Sequence, residues 1–445
     1  MAKQSIRKQA MLLTFTNTLV RALGFAMRVW FSRVLGAEIM GIMELSSSVH
    51  MLAITPATAG IPLAVSRLTA KAPPDRKEEA LHAAKLLVRR ISLILIPSFL
   101  LLSPLFARLL GDERTFPSLI MSAPCILILG YSAAYNGYCY GMENAWPPAL
   151  SELTEQVLRF SVAFLLLKSL PNLSPAWMAA VPGFSTTVAE AVGLALVLWL
   201  LHLPRAKTPP SESTKKRLFR LTLPPTVTRL CNTALRSLNA ILIPMRLRFS
   251  GLTAVEATAR FGMLTGMVMP LLMLPSVFTG ALAMLSTPAM AARENNLPAL
   301  RSISFRLLIV SGLTGIVCTA GLYLLAPILA VKMYRLPELA PLIRYLCPTV
   351  FMLSLHQVLG GMIAGLGRQK QALYGTLFGA GITLVSSWFL TASPALRLYG
   401  AALSFMLGQA CTVIWNCVVL FLRLTNKCPP AAGIENDGEI ASAQV

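Results

Sequence analysis

The chain has 445 residues, 55% of them hydrophobic and only 13% charged, with a mean hydropathy of +0.66. Soluble globular chains carry roughly 25% charged residues, so the composition excludes an ordinary soluble protein and predicts an integral membrane one. The charge is lopsided, 39 Lys plus Arg against 18 Asp plus Glu for a net +21. Because the bases flank apolar runs, topology and anionic lipid headgroups account for them, and no nucleic-acid partner is expected.

Apolar runs of the length a bilayer requires, about 20 residues, are predicted as helices at 10–32, 43–68, 84–110, 117–140, 149–169, 176–201, 218–245, 261–289, 303–331, 340–364, 371–391 and 398–422. The first is too long for a signal-peptide core and lacks a small-residue cleavage site, so it is expected to stay as the first span. Two polar stretches stand out, 71–82 and 203–217, and a polar tail at 424–445 has too few apolar residues to fold. The expected organisation is an N-terminal six-helix lobe (1–202), a cytoplasmic linker (203–217), a C-terminal six-helix lobe (218–423) and a disordered cytoplasmic tail. With the N-terminus inside and flanking bases counted with their loops, inner segments hold 23 Lys and Arg, outer segments 11, and five arginines lie inside spans. That bias predicts both termini in the cytoplasm.

The chain also repeats itself. Arg21 and Arg28 in the first span recur as Arg229 and Arg236 in the seventh, offset by 208 residues in both cases. Pro56 and Pro62 in the second span are matched by Pro270 and Pro275 in the eighth, and the fourth and tenth spans end in similar turns, GMENA from Gly141 and GLGRQK from Gly365. A duplicated six-helix unit produces this order.

Residues seven apart lie within about 20° on a helix, so each arginine pair shares a face. A mid-span arginine costs about 2.5–3.5 kcal/mol on insertion scales. Four of them facing lipid would cost on the order of 10–14 kcal/mol, comparable with a protein's whole stability. They are expected to face protein or water, either snorkelling and pairing with acids on other helices or lining a hydrated cationic cavity suited to phosphate oxygens. Arg159 is a further candidate for the cationic cavity, or it pairs with Glu155, which precedes it by four residues in the favourable order for an ion pair within a helix. Glu190 has no base nearby on its own helix; it either pairs across helices with an arginine or titrates in ion coupling.

Prolines at matching depths in two halves point to interrupted helices of the kind that carry transporter sites, and Pro56, Pro62, Pro270 and Pro275 are candidate hinges. Gly361-x-x-x-Gly365 and Gly375-x-x-x-Gly379 suit close helix packing. Eight cysteines without a C-x-x-C pair and four scattered histidines suggest neither a disulfide framework nor a metal site. With no P-loop and no nucleophile elbow either, the weight falls on transport rather than catalysis.

Several stretches resemble a known family. GYCYGMENAWPPALSELTEQVLRF (137–160), TPATAGIPLAVSRLTAK (55–71), LTGMVMPLLMLPSVFTGALAM (264–284) and GMIAGLGRQKQAL (361–373) are similar to the stage V sporulation protein B-like oligosaccharide flippases. These belong to the superfamily of multidrug, oligosaccharidyl-lipid and polysaccharide exporters, which also contains the lipid II flippases. The resemblance implies an all-α membrane protein, with about twelve transmembrane helices in two six-helix lobes around a central cavity. It implies alternating access that carries a lipid-linked sugar diphosphate from the inner to the outer leaflet of a bacterial cytoplasmic membrane. It makes Arg21 and Arg28 diphosphate-contacting candidates. It also implies membrane lipids and cell-wall synthesis enzymes as partners, and no cofactor beyond H+ or Na+ coupling. Two departures stand out: Asn239, a candidate for ion coupling or cavity pairing, occupies a position where relatives often have aspartate, which weakens a coupling role there, and many relatives carry two further helices that form a lipid-tail groove. Alternatives are a multidrug antiporter of the same superfamily and a non-transporting scaffold of a cell-wall or sporulation complex.

Overall fold

Within hydrocarbon every backbone N–H and C=O must be satisfied inside the protein, and a helix does so within its own segment. The structure, a computed structural model, describes residues 6–202 and 210–425, with side chains from Phe15 onward, and among these residues it contains helices and no strand. In chain order the helices are α1 (Ile6–Thr58), α2 (Ile61–Lys71), α3 (Glu79–Leu109), α4 (Phe116–Ser122), α5 (Cys125–Gly141), α6 (Trp146–Ser169), α7 (Pro175–Leu201), α8 (Glu212–Phe249) and α9 (Ala254–Phe261). They continue with α10 (Met269–Leu272), α11 (Ser276–Ala291), α12 (Leu297–Ile328), α13 (Leu339–Leu346), α14 (Pro348–Gly365), α15 (Gln369–Leu390) and α16 (Leu398–Leu424). π-helical turns run through Gly262–Val268 and Leu329–Met333. Each of the twelve expected segments falls on one of these helices or on a helix and its broken continuation.

By length and apolarity alone, seven described helices suffice to cross a membrane, or nine if each of two bent pairs counts once. Two physical features hold that number down. Phe15–Lys71 is counted as a single 57-residue span, although α1 folds at Gly36, whose backbone (φ 76, ψ 175) is open to glycine and strained for other residues. A straight helix would separate Arg28 from Glu44 by roughly 24 Å, farther than two side chains reach. Their 2.9 Å ion pair therefore requires the two limbs of α1 to fold toward each other. The other feature is charge: α6 carries Glu152, Glu155 and Arg159 and α8 carries Arg229 and Arg236, so neither is apolar enough to be counted by composition alone.

The chain divides into two compact units, Met1–Met267 and Val268–Val445. The expected linker at 203–217 is undescribed over 203–209, and the expected tail lies outside the described residues from 426 onward. The first unit includes α8, which is tied to α1 by Ser237 Oγ donating to the Ser48 carbonyl at 2.7 Å and by Thr55 and Thr233 hydroxyls at 3.4 Å. One of its apolar clusters joins α2, α3 and α5 through Ile61, Val65, Leu81, Val88 and Tyr138. The second unit has its own core, where Met290, Leu300, Leu359, Met362 and Leu420 meet. Outward faces stay apolar, with Leu93, Ile94 and Leu101 on α3 and Leu313, Val317 and Leu324 on α12 all exposed. Water would penalise such a surface, whereas lipid tails solvate it.

The internal repeat is visible in the backbone. At the end of α5, Glu143 takes φ 54 and the Asn144 N–H reaches back to the Cys139 carbonyl at 2.9 Å. At the end of α14, Gly367 takes φ 70 and the Arg368 N–H reaches the Ile363 carbonyl at 3.1 Å. Both are glycine-type helix caps with the same bond pattern, and the two capping turns are 224 residues apart. Before each cap, a glycine pair closes onto a neighbour: Gly137 and Gly141 onto α2 at Pro62 and Ser66, Gly361 and Gly365 onto α11 at Ala283 and Thr287. The expected role of Gly361 and Gly365 in close packing is met by backbone atoms of the partner helix.

Candidate functional site

The arginines that the sequence singled out have different fates. Arg28, half-buried on the first limb of α1, is paired with Glu44 on the second limb at 2.9 Å. Glu44 also lies beside Gly266 in the π-helical turn; a Cβ there would come within 3.4 Å of the Glu44 stem. Arg21, Arg229 and Arg236 are exposed and form no ion pair among the described residues. Arg21 is three residues from Gly24, whose missing side chain brings α1 within reach of Gln156 on α6, and Trp30 continues that contact against Phe160 and Phe164. Arg229 lies one turn from Thr233, and Arg236 is next to Ser237, so both flank the hydroxyl contacts that fix α8 to α1.

A second polar group lies between α6 and α7. Arg159 does not pair with Glu155, as its spacing suggests; its Nη2 is 3.1 Å from Glu190 Oε1 on α7. The reason is local competition. Ser151, one turn earlier, donates to Glu155 Oε1 at 2.6 Å. The Glu155 carboxylate also occupies the space left by Gly193, where a Cβ would overlap it. Glu190 thus follows the cross-helix alternative. Near these residues in sequence, Asn136 Oδ1 on α5 and Gln156 Oε1 on α6 are buried without a hydrogen-bond partner. The arrangement gathers Glu155 and Glu190, with Glu152 half-buried one turn away, around a single guanidinium. Carboxylates in excess over bases, away from bulk water, can hold a proton or a small cation.

Asn239 is buried and donates from Nδ2 to the Leu235 carbonyl of its own helix at 3.2 Å, leaving Oδ1 without a partner. The prolines sit at helix interruptions. Pro56 is inside α1 just before it ends at Thr58, and Pro62 opens α2, where a missing N–H is tolerated. Pro270 opens α10 directly after the π-helical turn, and Pro275 precedes α11, with a 54° bend across that break. No group of three or more metal-ligating side chains forms among the described residues.

Glu44 is one functional neighbour that sequence reasoning missed. Its signal was present: it is one of only four acids inside the predicted spans, with Glu152, Glu155 and Glu190. A second missed group is the Asp112–Arg114 turn between α3 and α4. Arg114 grips both Asp112 oxygens, at 2.9 Å from Nε and 2.7 Å from Nη2, and also pairs with Glu38 just past the Gly36 fold. Thr258 on α9 donates to the same Asp112 carboxylate at 3.0 Å. Gly262 lets the start of the π-helical turn press onto Ala37 and Gly41 of α1. This network fastens α9 to the second limb of α1.

Comparison with known proteins agrees with this architecture. The family model described as polysaccharide biosynthesis protein matches residues 6–294. Stage V sporulation protein B of Bacillus subtilis (strain 168) is 27% identical over 440 residues, covering 94% of this chain and 84% of that protein. Among solved structures, an inward-facing multidrug resistance MATE family transporter of the MOP superfamily superposes with a TM-score of 0.77 at 18% identity, over 92% of this chain and 98% of that one. The lipid II flippase MurJ, in an inward closed conformation, gives 0.74 at 11% identity over 93% and 89% of the two chains. Its many apolar helices, its transporter fold and the family match lead to one conclusion: the chain is a multi-pass membrane protein that belongs to the polysaccharide biosynthesis protein family.

Proposed function

We propose that this protein is a flippase for an undecaprenyl-diphosphate-linked cell-wall precursor, lipid II or a related lipid-linked oligosaccharide. It would work in a bacterial cytoplasmic membrane with both termini inside. The observation that carries the reading is the set of three exposed arginines, Arg21, Arg229 and Arg236, on helices related by the internal repeat and without carboxylate partners among the described residues. A guanidinium stays charged at any working pH and offers a planar fork to two oxygens at once, so it suits a diphosphate and does not suit a cationic drug. Membership of a polysaccharide biosynthesis family supports the same class of cargo, while the fold is shared by the lipid II flippase and the multidrug transporters alike. In this mechanism the diphosphate exchanges water for the three guanidinium groups, while the prenyl tail stays in lipid. The interrupted helices at Pro56–Pro62 and Pro270–Pro275 absorb the change between inward and outward access. Glu190 and Glu155 exchange a proton or sodium ion and so couple the cycle to an ion gradient. Arg28, already neutralised by Glu44, has a structural share.

The multidrug antiporter reading draws on the Glu152, Glu155 and Glu190 cluster, which could receive a cation. Arg159 occupies that cluster, which favours the flippase. The test is reconstitution in vesicles with a fluorescent lipid-diphosphate sugar, following its movement between leaflets. Arg21→Ala and Arg236→Ala are each expected to slow movement about ten- to hundredfold, the equivalent of one lost charge-assisted contact. Unchanged rates in both, with normal folding, would sink the cationic-site mechanism and leave the scaffold reading. Glu190→Gln is expected to abolish dependence on an imposed proton or sodium gradient in the same vesicles.

A further inference from the structure

The second unit contains a groove that the transport reading does not use. Gly315 brings α12 onto α14 at Phe351, where a Cβ would come to 3.1 Å of the Phe351 backbone, and Ser311 Oγ donates to the Ser354 carbonyl at 2.9 Å. One turn further along α12 the contact opens. The opposing helix is interrupted at Cys347 and resumes at Pro348, so α13 and α14 are separate helices there. Thr319 Oγ1 lies 3.4 Å from the Cys347 carbonyl at that break. The result is a groove of about 600 Å³, walled by Ile316, Ala320, Tyr323 and Leu324 on one side and by Phe351 and Met352 on the other. A volume of that order accepts a drug-sized ligand or a stretch of hydrocarbon chain.

The few polar groups at the groove are the Thr319 and Tyr323 hydroxyls and the guanidinium of Arg344, which lies 5.3 Å over the Tyr323 ring. Arg344 is exposed and has no carboxylate within ion-pair distance among the described residues. The charges that flank α13 and open α16 include Lys332, Arg335 and Arg397 against Glu338, so the local balance is positive. Depth is marked independently. Tyr345, near the end of α13, and Tyr399, at the start of α16, stack edge-to-face at 5.2 Å, and Tyr323, toward the end of α12 and under Arg344, is half-exposed like them. Tyrosines of this kind collect at the level of lipid headgroups. An apolar groove opening beneath that level, with an uncompensated arginine at its mouth, matches the two parts of an anionic lipid.

We propose that the groove between α12 and the α13–α14 break binds one anionic phospholipid of the surrounding leaflet, its acyl chain along Ala320 and Phe351 and its phosphate on Arg344. The site is independent of the flippase reading, because it needs neither Arg21 nor any transport step. It gives the second unit a lipid requirement of its own.

The test uses the full-length purified protein in mild detergent, with lipid retention read by native mass spectrometry and thermal stability read in parallel. Phosphatidylglycerol is expected to be retained at one molecule per chain and to raise the melting temperature, while phosphatidylcholine does neither. Arg344→Gln is expected to weaken phosphatidylglycerol retention about tenfold, in line with loss of one charge-assisted contact. Ala320→Phe, which fills the groove, is expected to remove the bound lipid, and Arg335→Gln to leave it. Equal retention of both phospholipids, or wild-type retention by Arg344→Gln, would mean non-selective boundary lipid and would overturn the proposal. Retention of a polyprenyl phosphate in preference to phosphatidylglycerol would overturn it as well, by assigning the groove to a different lipid. If Ala320→Phe fails to fold, Arg344→Gln at the surface still decides the matter.

Discussion

The seam between α6 and α7 and the seam between α15 and α16 occupy the same place in the two halves of the repeat, yet they are built from opposite chemistry. In the second half every fourth residue is small or polar on both helices: Gly375, Gly379, Thr383, Ser387 and Thr391 face Gly400, Ser404, Gly408, Thr412 and Asn416. The backbones touch there, because the space a Cβ would need at Gly379 is held by Thr412 Oγ1 and the Gly408 carbonyl. Small-residue stripes let helices associate in lipid, where the hydrophobic effect supplies no drive between them. In the first half the same register carries Ser151, Glu155 and Arg159, and the opposing helix answers with Gly193 and Glu190. One copy of the duplicated unit is thus a plain packing joint. The other has given up some of that packing for buried charge, and so the α6–α7 seam, with its Glu190, is where the proposed ion coupling would take place.

The sharpest way to break this contrast is to remove one charge from the polar seam. Arg159→Ala leaves Glu190 in the protein interior without its base, a change that costs about 3–5 kcal/mol when a buried pair is broken from one side. The expected outcome is a large drop in the unfolding temperature of purified protein. Arg159→Leu combined with Glu190→Leu should recover most of the loss, because two apolar residues leave no orphaned charge. If the single substitution is neutral, the pair is solvated and the seam is not a buried polar site.

The packing seam predicts a smaller but firmer effect. At Gly379 the atoms in the way are a backbone carbonyl and the β-branched Thr412, neither of which can move aside without parting the helices. Gly379→Ala is expected to cost about 1–3 kcal/mol, the range for overpacking a tight interior, and to lower the yield of monodisperse protein on size exclusion. The network at the α3–α4 turn offers a control in the same unit as the polar seam. Arg114→Ala releases Asp112 and Glu38, but both partners keep partial access to solvent or to Thr258. A loss of about 1–3 kcal/mol is therefore expected in thermal unfolding.

How much of this the sequence disclosed follows from what hydropathy and spacing can encode. Segment positions were legible because each apolar run must be about a bilayer long, and the repeat was legible because Arg21 and Arg28 recur at a fixed offset. The matching turns at Gly141 and Gly365 proved to be the same helix cap, since backbone conformation follows local residues. Pairing was not legible. Arg159 had an acid at the favourable spacing on its own helix, and the structure gave it Glu190, because Ser151 and Gly193 claim Glu155. Arg28 had no acid within a turn, and the fold at Gly36 brought Glu44 back to it. Both outcomes depend on which helix faces which, information that single-helix periodicity does not carry.

The most discriminating comparison is also the smallest in energy. Gly193 and Gly379 both sit on a seam and both lack room for a methyl group, so an alanine substitution is formally the same change at each. What fills the space differs. At Gly193 the obstructing atoms are the Cγ, Cδ and Oε1 of Glu155, the far end of a flexible side chain, which can rotate away at little cost. Gly193→Ala should therefore cost under about 1 kcal/mol, well below Gly379→Ala, measured as the difference between the two unfolding transitions. The displaced carboxylate loses its Ser151 hydrogen bond, so under the proposed coupling the same variant should change the proton or sodium dependence of transport while leaving the fold intact. Equal destabilisation at the two glycines would show that Glu155 is locked in place as firmly as a backbone carbonyl. The first-half seam would then be as rigid as its counterpart, and ion coupling could not rely on movement of that side chain.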